Sequence, residues 1–388
     1  MRVAWSAQHT YGKSLPILLS SMSGDVTLDV LGCGHETARW KRMARSLGVD
    51  DRITWHGWLP KDKAHAVVSR ADVFIITSLR DLTSTVLLEA LSAGKPVVCL
   101  DHCGFSDVVD ETCGIKIPVG KHKEVIADFT AALKKLEDAA LRQRLSDGAM
   151  RKAAEYSWES KRVALDRIYR LEWKKVLVCV YACSPLRGSE PGMGWNYLRH
   201  IASSVREVWA IVEQEKWEND IKTYLTTHPS EMKNVHFIFI RKPRCRWLRK
   251  IWPPSYYWFY RIWHWRAYKA ARDLNKKVHF DCVHQLNMVG FREPGYMWKL
   301  PIPFVWGPIG GLGQTDWRLL GLLPFMGKVE FFFRNIINWC HSHFLIRPKL
   351  AARKAAETGA LITATSENRR EAKRLWGVDS TVLCEVGT

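Results

Sequence analysis

The sequence predicts an α/β protein built from two parallel sheets in succession. Two series of short apolar runs alternate with helical patterns, one on each side of residues 170–175. Such alternation calls for parallel strands joined by crossover helices. The length, 388 residues, suits two domains. Neither an internal repeat nor a low-complexity segment interrupts the pattern.

In the first series, strands are expected at Arg2–Trp5, Thr27–Leu31, Ile53–Trp55, Val73–Thr77, Val97–Leu100 and Ile115–Val119. Helical spacing fills Leu15–Ser21, Glu36–Leu47, Lys61–Ser69, Thr85–Ala93 and Val125–Leu141. Leu145–Glu172 reads as one or two charged helices with no strand after them, which sets the expected boundary at 1–172 and 173–388. The second series has strands at Val176–Tyr181, Val208–Val212, Val235–Ile240, Asp281–His284, Phe304–Trp306, Leu361–Ala364 and Thr381–Cys384. Its expected helices include Gly194–Ser203, a stretch within Ser255–Leu274, and Lys349–Thr358. Ligands of such folds bind beyond the carboxyl ends of the strands, so the loops there hold the candidate chemistry.

Composition excludes a disordered chain, a collagen-like fibre and a disulfide scaffold, with 47% hydrophobic and 25% charged residues. The net charge of +19 is uneven, +3 over residues 1–172 and +16 over 173–388, and 14 of the 19 tryptophans lie in the latter part. A basic, Trp-rich half seeks an anionic partner, a membrane surface or a nucleic acid. None of the ten cysteines forms a CxxC pair, so buried thiols in a reducing compartment are expected and no metal site is. The opening MRVAWSAQHT lacks the apolar core of a signal peptide, and no apolar run has the ~18 residues of a spanning helix. The expected location is cytoplasmic, peripheral on the inner face of the membrane.

The most informative stretch is Ser78–Pro96, SLRDLTSTVLLEALSAGKP. A strand enters a loop with Asp81, Thr83, Ser84 and Thr85, and a helix follows with Glu89 on its second turn. Small hydroxyl residues at a helix start expose backbone N–H groups to a phosphate. The same pattern equally describes an N-capped amphipathic helix.

Asp81-x7-Glu89 with EALSAGKPVV resembles the donor-site motif of retaining GT-B glycosyltransferases of family 4. LDVLGCG (28–34), DRITWHGWL (51–59), ADVFIITS (71–78) and the loop DHCGFSDVV (101–109) follow in that family's order. The resemblance implies two Rossmann-like domains facing across a cleft, and a nucleotide-diphosphate sugar as donor, with no cofactor and no metal. It places the diphosphate on the Thr83–Val86 helix start (Thr83, Ser84, Thr85, Val86) and the ribose on Glu89. Asp81, one methylene shorter than the usual Glu, lies by the transferred sugar. Gly34 and the Trp58–Leu59 loop complete the donor site. Lys13 matches the second cation of a basic pair that meets the leaving diphosphate, whereas Gln8 stands where its Arg partner would be.

The second half resembles the acceptor domain of the same family, which normally comes first, so the resemblance implies a circularly permuted order with the old termini joined near Leu171–Lys175. VLVCVYACSPLRGSEPGMGW (176–195) is a strand, a Gly-rich loop and a helix start, in which Gly188, Gly192 and Gly194 would let backbone approach a ligand. His284, in DCVHQLN (281–287), matches a position near the reacting sugar, and VWGPIGGLG (305–313) supplies another loop. The catalytic candidates are thus His284, Asp81 and Lys13.

Arg241–Lys269 holds nine Lys/Arg, ten aromatics and no acid, a mixture suited to an anionic membrane interface. Trp317–Ile346 is a second apolar-aromatic stretch. The rings could instead fill the acceptor-domain core. No RNA-binding signature accompanies them, so nucleic acid is not an expected partner. The expected function is transfer of a hexose-type sugar to a lipid-linked or cell-surface glycan. The alternative is an inactive protein of GT-B shape that binds membrane or polysaccharide.

Overall fold

The computed structural model describes residues 1–388 except 170–171, 244–246, 248–250 and 252–254. Pro253 and Pro254, and all four cations from Arg244 to Lys250, therefore lie outside the described residues.

The first sheet comprises β1 (Arg2–Ser6), β2 (Thr27–Leu31), β3 (Ile53–Gly57), β4 (Val73–Ile76), β5 (Val97–Leu100) and β6 (Gly114–Ile117). All pairings are parallel, in the order β3-β2-β1-β4-β5-β6. β4 and β5 are buried at every position, as continuous apolar runs covered on both faces must be. The crossovers are α1 (Pro16–Ser21), α2 (Thr37–Ser46), α3 (Lys61–Ser69), α4 (Thr85–Ser92) and α5 (Cys103–Val108), followed by α6 (His122–Lys135) and α7 (Ala139–Glu155). The single helix expected over Val125–Leu141 is two, because the Asp138 carboxylate accepts from the Ala140 and Leu141 amides and starts a new one. The loop expected over 101–109 carries α5.

After α8 (Trp158–Ile168), the second sheet comprises β7 (Lys175–Val180), β8 (Glu207–Glu213), β9 (Val235–Ile240), β10 (Cys282–Asn287), β11 (Phe304–Ile309), β12 (Leu361–Thr363) and β13 (Thr381–Val382). It too is parallel, in the order β13-β12-β11-β10-β7-β8-β9. Through this part of the chain run α9 (Ser189–Ser204), α10 (Gln214–Thr227), α11 (Ser255–Val278), α12 (Phe325–Phe344), α13 (Ile346–Ala356) and α14 (Ser366–Trp376), of which α12 packs mostly with the first sheet. The Thr365 hydroxyl caps α14, and Gly377, at φ 71°, ends it. The fold is therefore two Rossmann-like α/β units.

The compact units do not divide at residue 172. One holds Met1–Ser157, Gly313–Trp339 and Val386–Thr388; the other holds Trp158–Leu312 and Cys340–Glu385. Burial explains the correction. Leu165, Ile168 and Tyr169, on and just after α8, join the core of the second sheet, whereas Leu319, Leu322, Leu323 and Phe331 join that of the first.

Candidate functional site

In the first sheet the strand order reverses between β1 and β4, which pair in parallel. Chains leaving two such strands turn to opposite faces and open a crevice at their carboxyl ends. Lys13 lies on the short 3-10 turn Tyr11–Lys13 after β1, and Asp81 in the loop after β4. Their side chains meet there as a half-buried ion pair, the ammonium donating to the carboxylate.

The backbone beneath this pair is tied by groups that the sequence did not single out. The buried Thr77 hydroxyl donates to the Lys13 carbonyl at 2.7 Å and accepts from the Trp5 indole N–H at 2.9 Å. The Leu79 amide donates to the Gly12 carbonyl at 2.8 Å. His102, after β5, contacts the Ser78 carbonyl through Nε2 at 2.9 Å and Cys103 Sγ through Nδ1 at 2.7 Å. Burial holds this imidazole below its usual pKa, so it stays neutral, with Nε2–H as donor to the carbonyl. Loops after β1, β4 and β5 are thereby locked together around Lys13 and Asp81.

α4 starts from the same loop. Ser84 precedes it at φ 72°, and its side chain makes no cap hydrogen bond, so the capped-helix expectation is not met. Thr85 and Val86 form the first turn, and Ser84, Thr85 and Val86 are each partly exposed. The Thr83 side chain is buried instead: a Cβ on Gly104 would stand 2.5 Å from its Oγ1. Its hydroxyl is thus packed beneath α5 rather than presented to a ligand. Glu89 is partly exposed on α4, with Oε1 3.5 Å from Lys61 Nζ at the start of α3. Trp58, 73% exposed, and Leu59 lie in the connection from β3 to α3. Gly34 serves a close approach of protein to protein, since a Cβ there would meet the His9 carbonyl oxygen at 2.3 Å.

The second unit revises three expectations. His284 is wholly buried in the middle of β10, opposite Val178 and Val305. Its Nδ1 accepts from the Tyr169 hydroxyl and its Nε2 donates to the Gly307 carbonyl at 2.8 Å. Burial lowers its pKa to about 4. With both nitrogens occupied inside the core, it is a structural histidine and does not reach a substrate. β10 runs three residues beyond His284, to Asn287, whose Nδ2 donates to the Ala182 carbonyl at 2.8 Å.

The Gly-rich stretch is mostly helix, because α9 begins at Ser189. A Cβ on Gly192 would stand 2.4 Å from the Arg187 carbonyl oxygen, and one on Gly194 2.1 Å from that of Ala182. Both glycines admit neighbouring backbone, not a ligand. Gly188, just before the helix, has open space around it. On the first turn, Glu190 Oε1 accepts from the Val289 amide at 3.2 Å, and burial raises its pKa. Of the basic aromatic stretch, the described part of α11 divides by face. Tyr260, Trp263 and His264 are buried, and Tyr257, Trp258 and Trp265 are exposed.

Among the described residues, no cluster of three or more His, Cys, Asp or Glu could hold a metal ion. No described helix is long and apolar enough to cross a membrane.

Residues 6–152 match the family model of glycosyl transferases group 1. This stretch contains Lys13, Asp81, α4 and Glu89. Among curated proteins, the lipopolysaccharide 1,6-galactosyltransferase of Escherichia coli K12 is 34% identical over 94 residues, 24% of this chain and 26% of that protein. The lipopolysaccharide core biosynthesis glycosyltransferase LpsD of Rhizobium meliloti is 31% identical over 121 residues, 31% of this chain and 34% of that one. The chain thus spans about a quarter to a third of the length of these relatives. Among solved structures, WaaG, a glycosyltransferase involved in lipopolysaccharide biosynthesis, aligns over 40% of this chain and 43% of its own, at 21% identity and a TM-score of 0.35.

Proposed function

We propose that the chain is a retaining, metal-independent glycosyltransferase of family 4. It moves a hexose-type sugar from a nucleotide-diphosphate donor to a lipid-linked or cell-surface glycan. The observation that carries this reading is the convergence of Lys13, Asp81 and the α4 start where the first sheet reverses, inside the stretch that matches the glycosyl transferase model. Amides of Ser84, Thr85 and Val86 receive the diphosphate, and Lys13 neutralises the charge that grows as the sugar departs. Fixed dipoles and a cation aimed at developing charge lower the barrier by roughly several kcal/mol in such sites. Asp81 orients Lys13 and the sugar, and Glu89 takes the ribose hydroxyls.

The second unit receives the acceptor, in a permuted domain order, and its basic, aromatic surface rests on the inner face of an anionic membrane. Support for the membrane comes from the net charge of +16 over residues 173–388 and the exposed rings Tyr257, Trp258 and Trp265. Thermal-shift measurements with UDP, GDP and ADP test the donor site. One nucleotide should raise the Tm, by about 2.7 kcal/mol of apparent stability at a hundredfold excess over its Kd. No shift with any of the three, together with no nucleotide release from labelled nucleotide sugars, would refute the enzyme. A second reading, a non-catalytic GT-B protein, draws on the same ion pair: Asp81 already matches the charge of Lys13, and Gln8 adds no second cation.

A further inference from the structure

α12 is amphipathic the wrong way round for a helix in water. Its inward face carries Gly327, Phe331, Asn335, Asn338 and Ser342, of which only Phe331 is a large apolar residue. Its outward face carries Phe325, Met326, Phe332, Phe333, Ile336, Ile337, Trp339 and, at the end, Phe344. Phe325 is 77%, Phe333 58% and Trp339 47% exposed. At a hundred degrees per residue these outward side chains form one apolar arc of about 160°, interrupted near the end of the helix by His343.

Hydrogen bonds fix that rotation. Asn335 accepts from the Thr315 amide at 3.2 Å and donates to the Thr315 carbonyl at 2.8 Å, while Asn338 donates to the Gly313 carbonyl at 2.9 Å. A helix turned the other way would leave those buried backbone groups unsatisfied, at about 1–3 kcal/mol each. Charges lie at the margins of the arc, Lys328 on one side and Arg334 on the other, the latter paired with Glu330 at 2.5 Å. Trp317 extends the arc from outside the helix, with its ring 5.9 Å from that of Phe332.

We infer that this face of α12 is a membrane-docking face that lies in the interface of an anionic bilayer. The inference rests on the reading of an anionic membrane partner above and adds to it an inserting element, Phe325–Trp339, in the unit that carries the candidate donor site. Large rings and branched aliphatic side chains at the centre, with long cations at the margins, suit the boundary between acyl chains and headgroups. A second copy of the chain is the poorer occupant, because each copy brings a charge of +19 against the other. The helix does not span: among the described helices none is apolar enough.

Flotation of the full chain with vesicles of phosphatidylcholine, with and without phosphatidylglycerol, tests the inference. The wild type should float with the anionic vesicles. The triple variant Phe333→Ser/Ile336→Ser/Ile337→Ser should partition at least about tenfold more weakly, since binding scales with inserted apolar area. Its Tm should be unchanged, because the three side chains are exposed. Lys328→Glu/Arg334→Glu should lose binding on anionic vesicles. A triple variant that floats as well as the wild type overturns the role of α12 and leaves the membrane reading standing. Failure of the wild type to float overturns both. A wild-type dimer in sedimentation that the triple variant abolishes assigns the face to a second copy and also overturns the inference.

Discussion

At the scale of single residues, the site rests on Lys13, and its environment states what each change should do. Lys13→Ala removes the cation but none of the backbone ties beneath it. Turnover should fall by about a hundredfold, with the Tm held, as measured by steady-state kinetics beside calorimetry. Glu89→Ala should raise the donor KM by about tenfold, the loss of a charge-assisted hydrogen bond pair, and leave the fold intact. Thr77→Val is different in kind. It strands the Trp5 indole N–H and the Lys13 carbonyl inside the protein, so stability should drop by about 1–3 kcal/mol in urea unfolding. His284 bears on acid stability instead. Its pKa is lowered to about 4 from an ordinary 6.5, so the unfolded chain binds the proton first. The stability it contributes is complete above pH 6.5 and is lost as pH falls towards 4. The buried His264, lowered to about 3, acts in the same direction. The wild-type Tm should therefore fall between pH 6.5 and 4, and less steeply in His284→Gln.

At the scale of elements, what could be read in advance was what depends on apolar runs. The β2, β5 and β9 spans are the ones the sequence predicts, because each is an uninterrupted apolar or alternating stretch between turn residues. Lys13 and Asp81 stand out only through the resemblance to the glycosyltransferase donor motif, since a lysine or aspartate in a loop after a strand is otherwise an ordinary surface group. The illegible parts obey rules that a linear pattern hides. α12 presents Asn335 and Asn338 to its own unit, so its periodicity points outward. α10 buries only Trp217 and Ile221, too few to mark a helix face. The sequence puts a strand end at His284, because the polar Gln285 and Asn287 that continue β10 hide it; their partners are backbone groups. Gly192 and Gly194 look in the sequence like room for a ligand, but that room is taken by carbonyl oxygens. Gly194→Ala tests this last point. A methyl 2.1 Å from the Ala182 oxygen must push α9 off β7, at about 1–3 kcal/mol, and the Tm should fall by several degrees.

At the scale of the whole molecule, the units keep the charge asymmetry of the two halves but not the order of the chain. The +16 half of the sequence sends residues 313–339 into the unit built around the nearly neutral half. α12 carries its apolar arc there, on the unit with the candidate donor site. The polypeptide passes from one unit to the other after Ser157, Leu312, Trp339 and Glu385. Leu319, Leu322, Leu323 and Phe331 thus belong by packing to a core from which they are remote in sequence. The halves are consequently not interchangeable modules. A chimera that swaps residues 173–388 for those of another protein would strip a wall from the unit it meant to keep. Shuffling would have to carry the 313–339 strip along with the partner it covers.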